Sequence, residues 1–232
     1  MVNVYAHRGA SAEQPENTIA AFRRALEIGM YGIELDVYLS KDGVAVVIHD
    51  SSVNRTTNGS GELSDLDFAE IRALDAGRGE SVPTLEDVIA LVAGKTHLNI
   101  EVKADAAADE VLRLASQASG LSWGISSFDW DVLRYARRRD SGIDLWPLGI
   151  GATEDALKVV QEIGANQLNL FDPAIDEDIV AFLAERGIGT WVWTVNDPAR
   201  AALLAEWGAT GICTDNPRVI QDALATASRS GR

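Results

Sequence analysis

Cysteine, histidine and basic residues are all scarce in this chain, and each scarcity excludes something. The single cysteine in 232 residues, Cys213, rules out an internal disulfide and a cysteine-rich zinc site. Set in the apolar run GICTD, it is expected to be a buried, inert thiol. Twenty basic residues stand against thirty-five acidic ones, a formal charge of −15, and such a surface repels nucleic acid and anionic membranes. An anionic substrate would need a local reversal of that field, for which a bound metal ion is the usual device. No stretch approaches the roughly 18 to 20 continuous apolar residues of a transmembrane helix. The first residues also lack a basic segment followed by an apolar one and a small-residue cleavage site. The expectation is a soluble, cytoplasmic protein without stable membrane association, whose oligomeric state is not legible.

What the chain does have is alternation. Short apolar runs at 2–6, 32–38, 44–49, 97–103, 122–126, 145–150, 166–170, 190–195 and 211–215 read as strands. Between most of them lie segments such as NTIAAFRRALEIG, TLEDVIALVAG, DWDVLRYARRR, EDALKVVQEIG, DIVAFLAERG and DPARAALLAEWG, with apolar residues at helical spacing and glycine often after the last turn. The second and third strands are separated only by LSKDG, too short for a parallel crossover, so they form a hairpin turning at Asp42-Gly43. Without that return arm eight strands remain, the number that closes a TIM-type (β/α)8 barrel. The chain reads as a single barrel domain over 1–232. Segment 51–83, rich in Gly, Ser, Asn and Thr, reads as a small insertion after the second strand with one short helix near LDFAEIRAL.

Residues two apart on a strand share a face, so Glu34 and Asp36 project together, as do Glu101 and Lys103. The hairpin brings His49 across from Glu34 or its neighbour, while His7 and Arg8 end the first strand. All seven fall at or beside carboxyl ends of strands, the rim on which barrel active sites are built. Inward-facing carboxylates stay charged there only with a partner, and three of them without cysteine favour a hard divalent ion, Mg²⁺ or Ca²⁺. His97, about 13 Å from Glu101 along the same strand, falls at the opposite end and reads as structural. Asn17 and Thr18 read as caps of the first helix, and Arg55 and Asn58 as residues that order the insertion.

In order along the chain, AHRGASAEQPENT, GIELDV, VVIHDSSVNRTTNGSGELSDL, LDAG, VPTLEDV, NIEVK, SSFD, WVWTVND and GICTDNP closely resemble the glycerophosphodiester phosphodiesterase family. The resemblance implies a barrel that hydrolyses glycerophosphodiesters to sn-glycerol 3-phosphate and an alcohol. It implies one divalent ion, Ca²⁺ or Mg²⁺, on carboxylates matching Glu34, Asp36 and Glu101, and paired catalytic histidines matching His7 and His49. Phosphate-contacting cations would match Arg8 and Lys103, a rim tryptophan Trp193, and a lid over the glycerol side the segment from Ser51 to Pro83. The insertion is shorter than in many members, and ATG stands for the more usual ADG before ICTD.

Displacement at phosphorus needs a base for the nucleophile and an acid for the leaving alkoxide, and a pair of imidazoles can hold opposite protonation states near neutrality. The sequence does not separate attack by water from attack by the glycerol 2-hydroxyl through a cyclic phosphate. A carboxylate beside an imidazole favours its protonated form, which tilts the acid role towards His49. The competing enzyme reading is a lysophospholipase D or sphingomyelinase D-like phosphodiesterase that releases a cyclic phosphate. Those relatives usually act outside the cell and carry a disulfide, against which the lone cysteine argues.

Overall fold

Alternation along each strand sorts the residues into two populations, one facing the helices and one facing the barrel axis. In the computed structural model, which describes residues 2–230, the elements run β1 (Asn3–His7), α1 (Ile19–Ile28), β2 (Gly32–Leu39), β3 (Ala45–Val47), α2 (Phe68–Arg72), α3 (Leu85–Val92), β4 (His97–Val102) and α4 (Ala108–Gln117). They continue through β5 (Ser122–Ser127), α5 (Trp130–Arg139), β6 (Asp144–Gly149), α6 (Glu154–Glu162), β7 (Gln167–Phe171), α7 (Glu177–Ala184), β8 (Gly189–Trp193), α8 (Pro198–Trp207), β9 (Gly211–Thr214) and α9 (Pro217–Ser230). Met1, Gly231 and Arg232, which the single-domain expectation includes, lie outside the described residues.

Eight parallel strands close a barrel because β1 pairs with β9 on one side and β2 on the other, while β3 pairs antiparallel with β2 and stands outside the ring. This is the TIM-type fold that the strand count predicts. The hairpin opposes Val37 to Val47 and Leu39 to Ala45, and the Ile48 amide still donates to the Asp36 carbonyl at 3.0 Å. Carried two residues past β3, the same register sets His49 level with Leu35, between Glu34 and Asp36.

The aliphatic population, including Val4, Ile33, Leu35, Leu98, Ile100, Ile125, Leu168, Val192 and Ile212, packs outward against the helices in one continuous core. That burial is the main stabilising term, at roughly 25 cal/mol per Å² of apolar surface. The inward population is different. Tyr5, Trp146, Trp191 and Cys213 fill the lower barrel as a separate cluster, and Cys213 is fully buried. Gly32 makes room for it, since a side chain there would stand 2.2 Å from the Tyr5 ring.

Segment 51–83 has a small core of its own, in which Val53, Leu63, Ile71, Ala76 and Val82 pack on Val46 and Ile48 of the return arm. It holds a short 3-10 turn at Leu63–Asp65 besides α2. Thr84 then caps α3 by accepting from the Asp87 amide. Among the described residues no helix is long and apolar enough to cross a membrane.

Candidate active site

β1 ends on His7, and the chain turns at once, with Arg8 at φ 55° and Gly9 at φ 80°, both in the left-handed region. A side chain at Gly9 would stand 2.6 Å from the Ala21 backbone, so glycine alone fits the second position. The turn aims the Arg8 amide at Glu34 Oε2, 3.0 Å away. It also sets the guanidinium Nε 3.3 Å from Asp36 Oδ2 and Nη1 2.8 Å from Glu16 Oε1.

The register of the barrel sets His7 beside Glu34 and Asp36 beside Glu101. Glu34, Asp36 and Glu101 are 4%, 0% and 9% exposed, and each offers an oxygen within 4.8 Å of the others. Lys103 Nζ lies 2.7 Å from Glu101 Oε1 and 3.5 Å from Asp36 Oδ1. Burial, and next the charge of Asp36, push the Glu34 carboxyl up to about 8. Asp36 is the opposite case: burial raises it, but Arg8 and Lys103 outweigh burial and hold it below the usual range.

The donor set suits a hard divalent cation, being three carboxylates with no sulfur. Asp36 Oδ1, buried and without a hydrogen-bond partner among the described residues, supports the same fit, as does the raised Glu34. These three residues could hold a metal ion.

Each rim histidine is tied by Nδ1 to a carboxylate: His7 donates to Asp215 Oδ1 and His49 to Asp50 Oδ1, both at 2.6 Å. A carboxylate only accepts, so Nδ1 carries the proton and Nε2 is the nitrogen left for chemistry. His7 Nε2 lies 4.0 Å from Glu34 Oε2. Because both histidines have such a partner, the carboxylate does not single out His49 as the acid, and the wider field runs the other way. Burial opposes charging His7, but the Asp215 hydrogen bond and Glu34 outweigh it and raise the imidazole. At His49 burial, helped by Lys103 and Arg8, outweighs Asp36 and Asp50 and lowers it.

His7, Arg8, Glu34, His49, Glu101, Lys103 and Trp193 line one pocket, and Asp36 lies fully buried within the carboxylate trio. Trp193 forms an aromatic lip with Phe128 and Phe171, at ring-centroid distances of 5.5 and 5.1 Å. Thr18 caps α1 as expected, accepting from the Ala21 amide. Asn17 does not cap: at φ 56° it turns inward and its Nδ2 donates to Asp36 Oδ2 at 2.9 Å, orienting a trio carboxylate. Sequence reasoning also passed over Asp215, Asp50 and Glu16. An acidic residue after the last strand and the His-Asp dipeptide were available signals for the first two; nothing local marks Glu16.

A (β/α)8 barrel whose carboxyl-terminal mouth joins two oriented imidazoles, a carboxylate trio and two cations has the make-up of an enzyme. The Glycerophosphoryl diester phosphodiesterase family profile matches residues 7–219, and the chain belongs to that family. It is 37% identical over 231 residues to a glycerophosphodiester phosphodiesterase of Caldanaerobacter subterraneus subsp. tengcongensis, covering 94% of this chain and 95% of that one. Among solved structures it is similar to a phosphodiesterase of Oleispira antarctica in complex with the product sn-glycerol-3-phosphate, with a TM-score of 0.92, 28% identity and 96% of each chain covered. A glycerophosphodiester phosphodiesterase of Thermotoga maritima gives a TM-score of 0.83 at 30% identity, covering 96% of this chain and 98% of that one.

Proposed function

We propose that this protein hydrolyses glycerophosphodiesters to sn-glycerol 3-phosphate and an alcohol, using His7 and His49 as the acid–base pair and a divalent ion on Glu34, Asp36 and Glu101. The observation that carries the reading is the pair of imidazoles, each oriented through Nδ1 by a carboxylate and both facing the pocket of the trio. When bound, Mg²⁺ or Ca²⁺ would supply Lewis-acid stabilisation of phosphoryl charge. Arg8, whose planar fork matches phosphate oxygens, and Lys103 attract the phosphodiester against the −15 of the chain and stabilise the charge that grows on it. One Nε2 takes the proton of the attacking hydroxyl and the other delivers a proton to the leaving alkoxide. Trp193 packs against the organic part of the substrate at the lip.

The test is release of sn-glycerol 3-phosphate from glycerophosphocholine by chelator-treated protein titrated with Mg²⁺, Ca²⁺ and Mn²⁺, with His49→Ala as control. Metal-dependent release lost in the variant is the expected outcome. Inactivity with every ion, together with cyclic phosphate from a lysophospholipid, would replace hydrolysis by the lyase reading.

A further inference from the structure

Arg55 belongs to the inserted segment, and the acid–base scheme leaves it without a task. Its guanidinium makes four hydrogen bonds to two carboxylates. Nε and Nη2 donate to Asp50 Oδ2 and Oδ1 at 2.7 and 3.1 Å, and Nη1 and Nη2 donate to Glu16 Oε2 and Oε1, both at 2.9 Å. Each carboxylate in turn holds a residue of the pocket. Asp50 Oδ1 accepts from His49 Nδ1 at 2.6 Å, and Glu16 Oε1 accepts from Arg8 Nη1 at 2.8 Å. An unbroken chain of charge-assisted bonds therefore runs from His49 through Asp50, Arg55 and Glu16 to Arg8, joining the hairpin, the insertion and the first loop.

We propose that Arg55 is a positioning residue, a clamp that fixes His49 relative to Arg8 and so fixes an acid–base nitrogen relative to the phosphate. This rests on the roles given to His49 and Arg8 under the proposed function. Two features separate the clamp from an ordinary surface ion pair. A lone pair as exposed as Arg55, whose side chain is 46% exposed, contributes little. Here, however, one planar fork grips both oxygens of two carboxylates that are only 30% and 23% exposed, a geometry that lysine, a single point of charge, does not reproduce. The second feature is that the insertion is anchored without it, by the packing of Val53, Leu63 and Ile71 on Val46 and Ile48. The bond from Arg55 holds the Asp50 carboxyl below the usual range, which keeps it a charged acceptor for His49.

The experiment compares wild type, Arg55→Ala, Arg55→Lys and, as a control in the same region, Arg72→Ala, whose exposed arginine pairs with Asp87 and lies over the Phe68 ring, away from the pocket residues. Steady-state hydrolysis of glycerophosphocholine with saturating divalent ion is measured beside thermal unfolding. Arg55→Ala is expected to lower kcat about tenfold to a hundredfold, as misplacement of a reacting group does, while its unfolding midpoint moves by no more than about 3 °C. Guanidinium at non-denaturing concentration restores part of that kcat and methylammonium does not; Arg55→Lys stays nearer to Arg55→Ala than to wild type. Arg72→Ala keeps the wild-type rate. The proposal is overturned if Arg55→Ala retains the wild-type kcat, or if its loss is repaired in full by lysine and untouched by guanidinium. Should Arg55→Ala not fold, Arg55→Lys keeps charge and stem and decides alone: a wild-type kcat in it overturns the clamp. Wild-type protein inactive on the substrate would remove the proposed function instead, whereas an active wild type with an equally active Arg55→Ala removes only the clamp.

Discussion

The two ends of this barrel use the same residue type to opposite effect. At the mouth, His7 is held by Asp215 and faces Glu34, and its imidazole is raised in spite of burial. At the floor, His97 stacks on Trp146 with ring centroids 5.1 Å apart and meets the Tyr5 ring edge-on at 5.8 Å. Burial lowers it to about 4, with Asp144 too weak to reverse the shift. The lesson is that imidazole chemistry here is set by what replaces water. At His7 the neighbouring carboxylates favour the charged imidazole; at His97 the aromatic rings favour the neutral one.

The largest expected effect breaks the mouth. His49→Ala or His7→Ala should lower kcat/KM for glycerophosphocholine by about 10²- to 10⁴-fold, the usual worth of a general acid or base. His97→Phe, which preserves the stacking, should leave kcat/KM unchanged; a matching loss would show that floor and mouth are not separable. Next comes the floor itself. Trp146→Ala should cost about 3–5 kcal/mol of stability in urea unfolding, through the cavity it opens among Tyr5, His97 and Trp191. The folded fraction should turn over as wild type does.

A smaller change sharpens the contrast. Asp215→Asn weakens the charge-assisted hydrogen bond that, with Glu34, counters burial at His7, so the midpoint of His7 should fall, and kcat should drop about 10²-fold as the ring is held less firmly. Smallest is the titration of the metal-free protein followed by NMR. His97 should titrate near about 4, His49 below the usual histidine value and His7 above it. Adding a divalent ion should bring His7 down, because positive charge on the trio cancels the field of Glu34 that raises it. A His97 midpoint near those of free histidine would end the comparison.

Much of the mouth was legible because strand periodicity is local. Glu34 with Asp36, and Glu101 with Lys103, had to share faces, and a five-residue connection left the hairpin no alternative, so His49 had to return to β2. His97 was placed at the far end by distance along one strand alone. Asn17 was misread because its cap-like neighbourhood is indistinguishable in sequence from that of Thr18. Only its turn into the left-handed region points it at Asp36.

The sequence by itself determined the alternation of strands and helices, the hairpin and the inward projection of the carboxylates, since periods of two and 3.6 residues need nothing beyond the chain's own geometry. Tertiary structure alone decided which charges meet. His7 finds Asp215 across 208 positions because the barrel closes between β1 and β9. The opposite shifts of His7 and His97 follow from depth and neighbours, because the cost of a charge depends on the dipoles and ions that stand where water would be.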